Sequence, residues 1–115
     1  ILAACRSAGI VPWLGVLKLH RADGFLLTHN LDGASLALDF PVTTGNRERL
    51  VALCHEIDRR VAAVGGRMYL AKDATATAAT FHAETPGLER FLEWKRELDP
   101  RGVLVSAQAR RLGIA

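Results

Sequence analysis

Apolar positions along the chain change period several times, and the changes mark its elements. Residues 1–9 predict the end of a helix, with Gly9 as its stop. From Val11 the spacing drops to two. "VPWLGVLKLHR" reads as a strand with Leu14, Val16, Lys18 and His20 on one face and Gly15, Leu17 and Leu19 on the other. "ADG" and "HNLDG" are turn material, and "FLLT" between them is expected to extend a hairpin. "ASLALDFPV" is a second strand, with Leu36, Leu38 and Phe40 on one face and Ser35, Ala37 and Asp39 on the other, limited by Pro41.

The strongest periodicity follows. In "TTGNRERLVALCHEIDRRVAAVGG", Leu50, Leu53, Cys54, Ile57, Val61 and Val64 recur at helical spacing, with Arg47, Glu48, Glu56, Arg59 and Arg60 mostly opposite. Asn46 is placed to cap this helix and Gly65-Gly66 to stop it. "RMYLA" then predicts a third strand, 67–71, ending at Lys72. Beyond it the chain turns helical, with a threonine-capped segment through "ATFHAE" and a helix in "GLERFLEWKREL" ended by Asp99-Pro100. A short last helix is expected between Ser106 and Gly113. The order predicts an α+β fold: a partial antiparallel sheet with one helix packed on it, followed by C-terminal helices. The composition shift at 71–73 is a candidate boundary between two packing environments. Phe91, Leu92 and Leu98 are expected to stay incompletely covered within this chain.

Composition narrows the functional classes. Half of the 115 residues are apolar, which suits one thin globular unit or a piece of one. No apolar run is long enough for a transmembrane helix, and the opening residues lack the basic start and unbroken apolar centre of a signal peptide. With no initiator methionine, the chain is expected to begin inside a longer protein. A net charge of +3 is mild and dispersed, and the seven aromatics form no stripe between basic residues, so a nucleic-acid partner is not expected. Cys5 and Cys54, and the four histidines, show no metal-type spacing, so no metal is assigned; Cys54 is read as a buried thiol. The location, cytoplasmic or peripheral at a membrane, is not fixed.

From the residues alone no catalytic constellation emerges, and the glycine pair follows a helix rather than opening one as a phosphate loop does. Lys18 sits mid-strand and Lys72 at a strand end. Each is either a solvated cation or one lining a pocket for an anionic or polyhydroxyl ligand. Asp73 either orients Lys72 or caps the helix after it.

Read as a unit, "GGR", an aromatic, "AKD", "TFHA", "LDPRGVL" and "ARRL", with "GVLKLHR" and "LALDFPV" upstream, resemble the C-terminal end of flavin-dependent oxidoreductases of the vanillyl-alcohol oxidase superfamily. The likeness is greatest to the decaprenylphosphoryl-ribose 2-oxidase group and more distant to the aldonolactone oxidases. It covers roughly residues 12–114 and rests on the order and spacing of individually weak motifs. It implies that residues 1–66 close a substrate (cap) domain and that 67–115 return to an FAD-binding domain lying before residue 1. FAD would then be held mainly by that other part, and this chain alone is expected not to bind it tightly. The partners implied are a sugar-like or polyol substrate and the rest of the same polypeptide.

The resemblance places Lys72 on the lysine of "AKD", facing the substrate near the flavin ring and assigned the catalytic role. Lys18 falls on the lysine of "VLK", a pocket residue. Ser35 and Ala37 fall on pocket-facing positions where the group carries an asparagine and a cysteine. Tyr69 stands where lactone oxidases carry the histidine of "HWGK". The activity implied is oxidation of an alcohol carbon by hydride transfer to flavin. Aldonolactone oxidation is the alternative, and a small non-enzymatic α+β interaction module is the rival from another class. Lys72 acts either as a hydrogen-bond donor to the reacting oxygen or, if desolvated, as a proton acceptor.

Overall fold

The computed structural model describes residues 1–115. Its elements are α1 (Leu2–Ser7), β1 (Leu14–His20), β2 (Gly33–Asp39), α2 (Arg47–Ala63), a single 3₁₀ turn (Leu70–Lys72), α3 (Ala78–Glu84), α4 (Leu88–Leu98) and α5 (Ala107–Leu112). The class is α+β, as the sequence predicts.

β1 and β2 form a two-stranded antiparallel sheet in which Leu14 lies opposite Asp39, Val16 opposite Ala37 and Lys18 opposite Ser35. Opposed residues share a face in such a pair, so the period-two reading of each strand fixes both faces. Leu38, with Phe40 just beyond the strand, packs on a core of Cys5, Ile10, Leu50 and Leu53 built between α1 and α2. The helices cover only that end of the sheet, and Leu17 and Leu19 at the other end stay exposed.

A second core gathers Ala76, Phe81, Leu88, Leu112 and Ile114, with Met68, Leu70, Phe91 and Leu92 packed around it. It shares no residue with the first. α3 and α5 begin at side-chain caps, Thr77 Oγ1 accepting from the Thr80 N–H and Ser106 Oγ from the Ala109 N–H. α2 ends at Gly65 and α5 at Gly113, each in the left-handed region open to glycine (φ +74° and +70°). Phe91 and Leu92 are half-buried and Leu98 is exposed.

Four expectations are corrected. Residues 67–71 are not a strand. The Met68 N–H donates to Glu84 Oε1 (3.0 Å) and the Leu70 carbonyl accepts from Gln108 Nε2 (2.7 Å), so side chains occupy groups a ladder would need. "FLLT" does not extend the hairpin, because the Asp23 carboxylate accepts from the Phe25 N–H, Thr28 Oγ1 and Asn30 Nδ2 and closes the segment into a loop. Asn46 precedes α2 without capping it. Its amide accepts from the Thr43 N–H (2.8 Å) and donates to the Pro41 carbonyl (2.9 Å), locking the turn after β2. Cys54 is only half-buried, and Cys5 is the buried thiol.

Only 12 of 115 residues are buried, and the surface is 7910 Å² against roughly 6,200 Å² expected of a folded 12.5 kDa monomer. The second core is therefore thin and sensitive. Leu112 is fully enclosed. Leu112→Ala is expected to cost about 3 kcal/mol, read as a lowered urea midpoint with an unchanged slope; an unmoved midpoint would remove this cluster from the folding core.

Candidate functional site

The face of the sheet turned away from α1 and α2 carries Val16, Lys18 and His20 from β1 and Ser35, Ala37 and Asp39 from β2. It opens toward residues 69–72. Lys72 Nζ lies 3.0 Å from Asp39 Oδ1 and 3.1 Å from Oδ2, a two-pronged ion pair across 33 residues of sequence, with both side chains about half exposed. At the other end, His20 Nε2 and Ser35 Oγ share a 2.6 Å hydrogen bond. The His20 ring meets His29 edge-on at 5.0 Å, and His29 lies against Tyr69 at 4.4 Å. Burial first, then the nearby charges of His20 and Lys18, hold the His29 imidazole below its ordinary pKa. Lys18, Ser35, Ala37, Tyr69 and Lys72 thus line one side of the molecule, joined through Asp39, His20 and His29.

Lys72 does not end a buried strand; it closes an exposed 3₁₀ turn. That turn is held from behind. Asp73 makes no ion pair with Lys72, which pairs with Asp39, and does not cap α3, which Thr77 does. Its Oδ1 accepts from the N–H groups of Thr75 (3.0 Å) and Ala76 (2.8 Å), and its Oδ2 from Arg111 Nη2 (2.7 Å) and Gln108 Nε2 (3.3 Å). Burial alone would raise the pKa of this carboxyl. The hydrogen bonds, Arg111 foremost, outweigh it and keep the group below the usual range. His55 of α2 adds a bond from Nε2 to the Thr75 carbonyl (2.9 Å). On the other side Glu84, nearly fully buried, holds Met68, while its Oε2 has no partner.

Sequence reasoning singled out the two lysines from their strand positions and gave them pocket roles through the resemblance, which also supplied Ser35, Ala37 and Tyr69; it left Asp39, His29, Gln108, Arg111 and Glu84 unassigned. Asp39 had a signal, since alternation along β2 puts it with Ser35 and Ala37. The spacing of Gln108 and Arg111, three apart on one helix, is the other. A concavity of about 510 Å³ between α1 and α2 is lined by Ala4, Ala8, Ala52 and Leu53 together with Arg49, Glu56 and Arg60. It lies on the far side of the sheet and holds none of these groups.

No protein-family model matches the chain. Curated relatives do match, two of them as follows. A decaprenylphosphoryl-beta-D-ribose oxidase of Mycolicibacterium smegmatis is 37% identical over 113 residues, 97% of this chain and 24% of that protein. An uncharacterised protein in the mprA 5′ region of Streptomyces coelicolor is 41% identical over 83 residues, 71% of this chain and 22% of that protein. The chain is therefore related to the C-terminal portion of an oxidase, as its motifs suggest. It spans about a quarter of the length of the curated relatives it matches.

Glu84 gives the site a testable pH signature. Burial, opposed by the Met68 N–H and assisted by the charges of Asp58 and Asp73 against Arg67, pushes its carboxyl from 4.5 up to about 7. The unfolded chain releases this proton near 4.5 and the folded one near 7. Between those values the folded state binds more protons, so the contribution of Glu84 to stability falls as pH rises and levels off above about 7. The span is on the order of 3 kcal/mol at most. Glu84→Gln is expected to remove that slope, measured as the difference in unfolding free energy between parent and variant from pH 4 to 8. A constant difference would show that Glu84 titrates normally.

Proposed function

We propose that the chain supplies the substrate-facing side of a flavin-dependent oxidoreductase that oxidises an alcohol carbon of a sugar-like substrate. The observation that carries this reading is the 37% identity to a ribose oxidase along nearly the whole chain. The geometry supports it. Residues that the resemblance assigns to the pocket come from three separated segments and lie on one open face. That relative's name favours a sugar-like substrate over an aldonolactone. The thin cores and bare apolar surface (Leu17, Leu19, Leu98) suit a chain that packs on the rest of a longer polypeptide, with 1–66 closing the substrate domain and 67–115 returning to the cofactor domain.

The residues present fit one end of a flavin and not the other. Nothing here cradles a diphosphate: a side-chain carbon on Gly66 would stand 2.6 Å from Val61 Cγ1, so Gly66 is packed against the end of α2. The face of Lys72, Lys18 and Tyr69 fits the reacting end, where polar and anionic atoms need donors. A bound flavin, FAD by the resemblance, would supply the hydride acceptor.

The chain's own contribution is position and charge. Lys72, paired with Asp39 and open to water, is placed to donate a hydrogen bond to the substrate oxygen as negative charge grows on it. Asp39 aims it. Lys18 adds a second cation on the face, and Ser35 and His20 offer a hydroxyl and an imidazole to further substrate oxygens.

In the polypeptide that carries this chain, Lys72→Ala is expected to leave flavin bound and to slow its reduction about a hundredfold. Single-turnover bleaching with decaprenylphosphoryl-β-D-ribose as the first substrate offered is the measurement. Reduction at the parent rate would return Lys72 to a solvated surface lysine.

A further inference from the structure

We infer that Gln108 and Arg111 of the last helix are positioning residues for Lys72, acting through the backbone on both sides of it; this rests on the substrate-facing role proposed for that lysine. Leu70 opens the turn that Lys72 closes, and its carbonyl accepts from Gln108 Nε2 at 2.7 Å. Asp73 follows Lys72 directly, and its Oδ2 accepts from Arg111 Nη2 at 2.7 Å and from Gln108 Nε2 at 3.3 Å. Arg111 also donates through Nη1 to the Ala76 carbonyl. The turn Leu70–Lys72 is thus tied at its first residue and at the residue that follows its last.

The rest of the fold leaves this task to α5. The turn pairs with no strand, Lys72 and Tyr69 are exposed, and the internal bonds of the turn are the Lys72 N–H to the Tyr69 carbonyl (3.0 Å) and the longer Asp73 N–H to the Leu70 carbonyl (3.3 Å). α5 is itself fixed, with Leu112 fully enclosed and its carbonyl accepting from His82 Nε2 at 2.8 Å. Rigidity therefore runs from the second core through Gln108 and Arg111 into the turn, while Asp39 holds only the far end of the lysine. Displacement of a reacting group by about 1 Å can cost up to about a hundredfold in rate, so a loosened turn lowers the chemical step more than substrate affinity.

The test is a double-mutant cycle on flavin reduction in the full polypeptide, with decaprenylphosphoryl-β-D-ribose as the probe. Gln108→Met keeps the length of the side chain and removes its donor. Alone it is expected to slow reduction about tenfold with half-saturation unchanged. Added to Lys72→Ala it is expected to change nothing further. An equal loss in both backgrounds overturns the proposal, because Gln108 then acts on folding and not through Lys72. Arg111→Ala should behave alike and Arg111→Lys recover most of the rate. If Lys72→Ala alone has no effect, both the proposed role of Lys72 and this one fall. If the parent does not reduce its flavin with this probe, the substrate assignment fails separately. Amide exchange then decides: Gln108→Met should speed exchange at Lys72 and Asp73 about tenfold while α2 is unchanged, and unaltered exchange overturns the clamp.

Discussion

The Asp73 carboxylate is the constraint on which the candidate site depends. It is almost wholly buried, sits where the chain passes from the 3₁₀ turn toward α3, and is bound by four donors from two parts of the chain. A buried ion pair by itself is weak evidence of stability, since desolvation offsets most of its attraction. Here its consequence is geometric. A carboxylate this deep tolerates its position only while every donor stays in place, so the turn, the start of the second core and α5 are fixed relative to one another. Lys72, one residue before it, inherits that placement and projects toward β2, where Asp39 receives it.

Local chemistry explains what was legible in the sequence. Strong periodicity gave α2 and α4, and the Thr77 and Ser106 caps with Gly65 and Gly113 gave helix ends, because each depends on neighbours a few residues away. Alternation in β1 and β2 gave the two faces correctly, down to Lys18 lying with Val16 and His20. The segment 67–71 misled because its alternation of Met68 and Leu70 with exposed neighbours does suit a strand. What decides against one is distant: Glu84 and Gln108, 16 and 38 residues away, take its backbone groups. The same limit hid the site's partners. Asp39 and Lys72 are 33 residues apart and Asp73 and Arg111 38 apart, and no periodicity links them. The resemblance gave Lys72 and Lys18, already conspicuous by position, a shared pocket because it carries such long-range information in compressed form. It assigned nothing to Asp39, which only the fold shows to be the lysine's partner.

The charge pattern of the face follows from the same arrangement. Two lysines, two histidines and one aspartate share it, and a face with every base protonated would repel itself. The structure relieves this in two ways. Asp39 spends its charge on Lys72, and His29, half-buried between His20 and Tyr69, is held toward its neutral form by burial and by the cations beside it. What remains uncompensated is Lys18. The face therefore offers one cation already aimed by a carboxylate, one free cation, and ring and hydroxyl groups between them. That is a poor surface for another cation and suits the proposed ligand, one with several oxygens. The half-exposed Lys72–Asp39 pair also costs little to rearrange. A substrate oxygen can take a share of the ammonium without leaving a buried charge stranded, which a fully enclosed pair would not allow.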